Sequence, residues 1–198
     1  MKSYLLMDVS CLPLMLSGWL VIGCWGCSLM PVNYTSADLY DGYQLVLPDY
    51  LERMEGLVDD ADLQYGNPYK EFYLICHYQT WEELNQRFQG KDLETFYDFH
   101  VENLLLSLQE TEAPAPDSIQ IGGFGALDGH LEGLYKGDKI HYRLVVVDLP
   151  EGLIQMLVWT PVLNLEEVSA DIDRIVQSIR KQAQEELSPP EDSLNVSE

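Results

Sequence analysis

The sequence predicts an α+β domain, a mostly antiparallel sheet with helices packed on it. Three stretches carry the prediction. Ile140–Asp148 and Leu153–Thr160 are apolar strands, Leu149-Pro150-Glu151-Gly152 between them is a turn, and Leu165–Arg180 is an amphipathic helix. In the first strand Tyr142, Leu144 and Val146 point to one face, and Arg143, Val145 and Val147 to the other. Apolar side chains on both faces mean a strand covered on both sides. Pro161 cannot donate to a ladder and ends the second strand. In the helix Leu165, Val168, Ile172, Ile175, Val176 and Ile179 form one stripe, while Glu166, Asp173, Gln177 and Arg180 face away. Asn164 with Glu167 three residues on reads as a capping box. A helix of this length is marginal alone, so its stripe packs on the strands just completed.

The remaining elements follow in chain order. Tyr43–Leu47 reads as a first strand, closed by Pro48. Leu63–Gly66 and Glu71–Tyr78 read as two more, separated by Asn67-Pro68. In the latter Phe72, Leu74, Cys76 and Tyr78 share a face, which makes Cys76 a core thiol, and His77 on the other face a strand residue. Thr80 with Glu83 is a capping box for a short helix carrying Leu84 and Phe88 inward. Asp92 opens a longer helix with the stripe Leu93, Tyr97, Val101, Leu104, Leu105 and Leu108, flanked by Phe96 and His100. Glu110–Asp117 is an exposed connection. Ser118–Tyr135 reads as a strand bulged at Gly122-Gly123-Phe124-Gly125, because that glycine run lacks a Walker lysine and a following helix. Lys136-Gly137-Asp138 turns the chain into Ile140. From residue 182 the dense acidic run with Pro189-Pro190 and no apolar period reads as a disordered tail.

The first 24 residues read as an address. A single Lys2 precedes an apolar run from Val9 to Gly23, too short for a confident span and the right length for a signal-peptide core. The run ends in Val21-Ile22-Gly23-Cys24, which resembles a bacterial lipobox whose cysteine takes a diacylglyceryl thioether before cleavage. An uncleaved anchor and an ordinary signal peptide are the competing readings, and Asp8 departs from a purely basic start. Residues 25–38 then read as a tether. Cys24-Trp25-Gly26-Cys27 spells C-x-x-C, but no helix follows to lower a thiol pKa, so it is not read as a redox site.

Charge bounds the partners. The chain has 11 Lys and Arg against 33 Asp and Glu, a net −22. Such a surface repels phosphate backbones and argues against nucleic-acid binding. No Gly-x-Ser-x-Gly elbow, His-Glu-x-x-His helix or dinucleotide fingerprint is present. Asp59-Asp60-Ala61-Asp62 lacks the glycine and distant glutamate of a calcium loop, and reads as a solvated turn. No cofactor or metal site is expected. One polar cluster stands out: His141 and Arg143 on one strand face, with His130 on a neighbouring strand. It is the candidate binding patch for an acidic group, with no catalytic residue assigned.

The element order resembles the PsbP-like superfamily, which includes DcrB-like bacterial lipoproteins. So do Tyr43-Gln44-Leu45-Val46-Leu47-Pro48, Ala61-Asp62-Leu63-Gln64-Tyr65, Tyr142-Arg143-Leu144 and Ile154-Gln155-Met156-Leu157-Val158-Trp159-Thr160, together with Ile175-Val176-Gln177-Ser178-Ile179. The resemblance spans Leu39 to Arg180. It implies an α/β/α sandwich with helices on both faces of the sheet, used for binding or assembly rather than catalysis. The expected organisation is a lipoprotein signal peptide over 1–24, a tether over 25–38, a single domain over 39–181 and an acidic tail over 182–198. The expected role is a lipid-anchored, non-enzymatic envelope protein that docks on an envelope protein or complex. The alternative is a small-molecule or metal-binding protein using the His130, His141 and Arg143 side of the sheet.

Overall fold

The computed structural model describes residues 32–40, 42–87 and 92–182. The signal-peptide and lipidation readings at 1–24, and the tail from 183, lie outside them. The described strands are β1 (Tyr34–Asp38), β2 (Tyr43–Pro48), β3 (Glu52–Arg53), β4 (Leu63–Asn67), β5 (Phe72–Thr80), β6 (Gln109–Glu112), β7 (Asp117–Ile121), β8 (Phe124–Tyr135), β9 (Asp138–Asp148), β10 (Gly152–Pro161) and β11 (Arg180–Lys181). The helices are α1 (Trp81–Arg87), α2 (Leu93–Leu105) and α3 (Leu165–Gln177). The main sheet runs β3-β4-β5-β10-β9-β8-β6, with β7 also paired to β8. Its pairings are antiparallel throughout.

Period-2 alternation sends each central strand's side chains to two separate cores. On one face Val145, Val147, Met156, Val158, Leu74 and Cys76 pack against Val168, Ile172, Ile175 and Val176 of α3. On the other Tyr142, Leu144, Val146, Leu131 and Leu153 pack against Leu84 of α1 and Phe96 and Tyr97 of α2. Helices on both faces of a mostly antiparallel sheet make this an α+β sandwich. The Cys76 thiol is buried in the first core, and burial pushes its pKa far above the ordinary thiol range.

The expected caps divide. Thr80 and Glu83 form the full box: Glu83 N–H donates to Thr80 Oγ1 at 3.3 Å and Thr80 N–H donates to Glu83 Oε2 at 2.9 Å. Asp92 accepts from Thr95 N–H at 2.6 Å. Asn164 does not cap α3. The chain enters α3 through a 3-10 turn, Val162–Asn164, which puts Asn164 itself in a helical conformation. Its amide reaches across instead, donating to Lys70 O at 3.2 Å, while Glu167 pairs with Lys70.

Four other expectations are corrected. The tether does not run to Asp38: Tyr34–Asp38 is β1, and with β2 and β11 it forms a second, three-stranded sheet. Ala37 is buried there, and the Tyr34 and Tyr50 hydroxyls both donate to Asp171 of α3. The small sheet lies on the α3 side, with Tyr43, Leu45 and Leu47 in the same core as the helix stripe. Arg180 is not on the helix, which stops at Gln177; it pairs with Gln44 in β11. Glu110–Asp117 is not simply a connection, because Gln109–Glu112 pairs with β8 at the sheet edge. Backbone pairing alone holds such an edge, so its side chains can stay polar. Finally, Gly122-Gly123 is a two-residue hairpin turn rather than a bulge, since Ile121 pairs directly with Phe124. Both glycines have positive φ, 59° and 90°, as a type I′ turn requires.

Candidate functional site

The register of three strands assembles the polar cluster. In the β8–β9 hairpin His130 lies opposite Arg143, Glu132 opposite His141, and Asp128 opposite Val145. On the other side of β9, Thr160 of β10 lies opposite His141. Residues directly opposite across a ladder share a face, so Asp128, His130, Glu132, His141, Arg143 and Thr160 all look toward α3. From α3, Asp173 reaches down to them. The predicted trio therefore does converge, and with it come carboxylates that strand reading alone had not placed.

Arg143 is the centre. Its guanidinium makes a bidentate pair with Asp128, Nε to Oδ1 at 2.9 Å and Nη2 to Oδ2 at 2.7 Å, and Nη1 also donates to Asp173. Arg143 is 7 % exposed and Asp128 6 %, so the pair is withdrawn from water, whereas the Asp173 side chain is 70 % exposed. Burial opposes the Arg143 charge, but the hydrogen bonds and charge of Asp128, then of Asp173, outweigh it and raise the pKa. A planar fork matched to a carboxylate is the geometry for which arginine is suited.

The histidines sit beside this pair. His130 Nδ1 and His141 Nε2 are 3.4 Å apart, with ring centroids 5.4 Å apart. His141 Nδ1 is 3.7 Å from Glu132. Burial, and then the neighbouring His130, lower the His141 pKa, with Glu132 opposing. Lys139 at 2.6 Å holds the Glu132 carboxyl below its ordinary range. Among the described residues His141 Nδ1 and Thr160 Oγ1 are buried without a hydrogen-bond partner. A crevice of about 220 Å³ opens over the cluster, lined by His130, His141, Arg143, Ser169 and Asp173 among others. The Ser169 hydroxyl donates to Glu166 O at 3.4 Å, within its own helix, rather than to a histidine. A nucleophile needs a base within hydrogen-bond reach, and Ser169 hydrogen-bonds to none among the described residues.

Other candidates from the sequence are accounted for locally. Asp62 accepts from Tyr78 N–H at 2.7 Å, which uses it to tie the 59–62 turn to β5. Among the described residues no three His, Cys, Asp or Glu side chains come together as a metal-ligand set. His100 is packed against Phe96 at 4.4 Å, and burial, with a further contribution from His77, lowers its pKa to about 4. Its Nε2 is buried without a partner among the described residues. The unfolded chain therefore takes up a proton near pH 6.5 that the folded chain refuses until about pH 4. Stability should fall by on the order of 3 kcal/mol as pH drops through that window. His100→Gln should flatten this part of a urea-midpoint profile; an unchanged profile would refute the assignment.

No protein-family model matches the sequence, and no curated protein matches it. Solved structures do. The cyanobacterial PsbP protein (CyanoP) of Synechocystis is 16 % identical, with a TM-score of 0.55 over 81 % of this chain and 98 % of that one. LpqN of Mycobacterium tuberculosis, described as involved in cell envelope biogenesis, is 13 % identical, with a TM-score of 0.54 over 76 % and 91 %. Among the described residues no helix is long and apolar enough to cross a membrane. The likeness is one of fold alone: the chain has a PsbP-like α+β fold.

Proposed function

We propose that this chain is a lipid-anchored, non-enzymatic cell-envelope protein that acts as an interaction or assembly module, docking on an envelope protein or complex. One observation carries the non-catalytic half. The most elaborate polar cluster in the described residues is spent on itself, because Arg143 is shared between Asp128 and Asp173. Among the described residues no serine, cysteine or threonine hydrogen-bonds to either histidine of the cluster. The envelope half is supported by the signal-like run ending at Cys24 and by the fold shared with an envelope-biogenesis protein. The anchor would leave the acidic domain outside the bilayer, tethered through the residues that follow Cys24.

The test of the anchor is metabolic labelling with a fatty acid in the native cells. Label should enter the native chain, and Cys24→Ser should accumulate as an unlabelled, uncleaved precursor. Equal labelling of both overturns it. A second reading, a small-molecule site over His130, His141 and Arg143, is favoured by the unpartnered His141 Nδ1 and Thr160 Oγ1. Against it, the 220 Å³ crevice is smaller than the roughly 300–1,000 Å³ usual for ligand pockets.

A further inference from the structure

A second concavity lies on the opposite face of the sheet from the arginine cluster. It holds about 380 Å³ and its exposed lining is mostly apolar. Its floor is a row of aromatic side chains set by strand register: Trp159 of β10 lies opposite Tyr73 of β5 on one side and Tyr142 of β9 on the other. The Tyr73 and Trp159 rings are stacked, 5.4 Å between centroids and 21° between planes. α1 and α2 cover other parts of this face and leave both rings half-buried. Tyr135, 42 % exposed, stands at the rim, and Glu71 lines the cavity.

Each of these features has a direction. Aromatic faces carry negative electrostatic potential and attract cations. Glu71 adds a carboxylate, positioned by the Asn164 amide, which donates to its Oε2 at 3.3 Å. The whole chain carries −22, so the long-range field draws cations and repels anions. The rim already illustrates the preference, with Lys136 Nζ 4.9 Å from the centroid of the Tyr135 ring. The volume falls within the range of small-molecule sites, and a mostly apolar lining with one convergent charged group is their usual make-up.

We propose that the cleft formed by Tyr73, Trp159 and Tyr142, with Tyr135 and Glu71 at its mouth, binds a ring-bearing organic cation of the quaternary-ammonium type. The ring stacks along the Tyr73–Trp159 platform and the cationic head sits toward Glu71. This site is separate from the arginine cluster and does not depend on the role proposed above.

The experiment titrates the full-length chain with benzyltrimethylammonium and, in parallel, with dimethyl benzyl carbinol. The carbinol has nearly the same shape and no charge. The readout is the indole N–H resonance of Trp159, identified by its loss in Trp159→Phe. The cation should bind saturably and about tenfold more tightly than the carbinol, the factor expected of a cation over partly desolvated rings. Glu71→Gln, a change at an exposed side chain that leaves the core intact, should weaken the cation about three- to tenfold and leave the carbinol unchanged. Equal affinity for the two probes would reduce the site to an apolar cleft and overturn the proposal. So would an indifferent Glu71→Gln, or a Trp159 resonance that neither probe moves.

Discussion

Arg143→Ala is expected to destabilise the fold by about 3–5 kcal/mol, because it strands the Asp128 carboxylate beneath α3 with its partner gone. Most of that cost belongs to the charge left behind rather than to the attraction lost. The two carboxylates should therefore behave unequally. Asp128→Asn leaves a buried guanidinium half-matched and should cost several kcal/mol, while Asp173→Asn, at a largely exposed side chain, should cost under about 1 kcal/mol. Replacing both members of the buried pair, Arg143→Met with Asp128→Leu, should recover most of the loss. Urea unfolding of the four variants checks the ordering. Equal effects at Asp128 and Asp173 would contradict the division between buried and exposed partners.

Ile175→Ala should cost about 2–5 kcal/mol. The side chain is fully buried, part of the core that joins α3, the small sheet strand β2 and the main sheet. Deleting it removes apolar burial and leaves a cavity that two β-sheets and a helix cannot readily close around. By comparison Leu163→Ser, at a 95 % exposed position before the same helix, should change stability by less than about 0.5 kcal/mol. If Ile175→Ala unfolded at the native urea midpoint, α3 would not be the cover of that face.

The elements that the sequence announced are those whose side chains alternate or recur with a clear period. β9 and β10 alternate into two cores, and α3 carries its stripe on one face, so both strands and the body of the helix were legible, though not the helix's two ends. β1 was not, because Tyr34-Thr35-Ser36-Ala37-Asp38 offers little beyond Ala37 to bury; pairing with β2 makes it a strand. The glycine run was ambiguous for a physical reason: a bulge and a type I′ turn both want positive φ, and only pairing of Ile121 with Phe124 separates them. Asn164 looked like a cap because spacing cannot reveal that a 3-10 turn precedes the helix. The candidate site was half legible. His130, His141 and Arg143 were visible as polar residues on apolar strands. Asp173 and Thr160 were missed because they join the cluster through helix docking and register, which no local pattern encodes, whereas Asp128 and Glu132 were open to a local reading. The alternation of Asp128, His130 and Glu132 at period 2 was the signal present in the sequence: three polar side chains on one strand face.

The proposed role makes the arginine cluster internal architecture and has the protein work by contact with an envelope partner. The most direct measurement is cross-linking in intact native cells, comparing the native chain with the Arg143→Met, Asp128→Leu double variant. A docking module predicts a reproducible cross-linked adduct of the same mass and yield from both, since the replacement keeps the fold and leaves the outer surface unchanged. A double variant that folds but loses the adduct, or a native chain that yields none, would contradict the account.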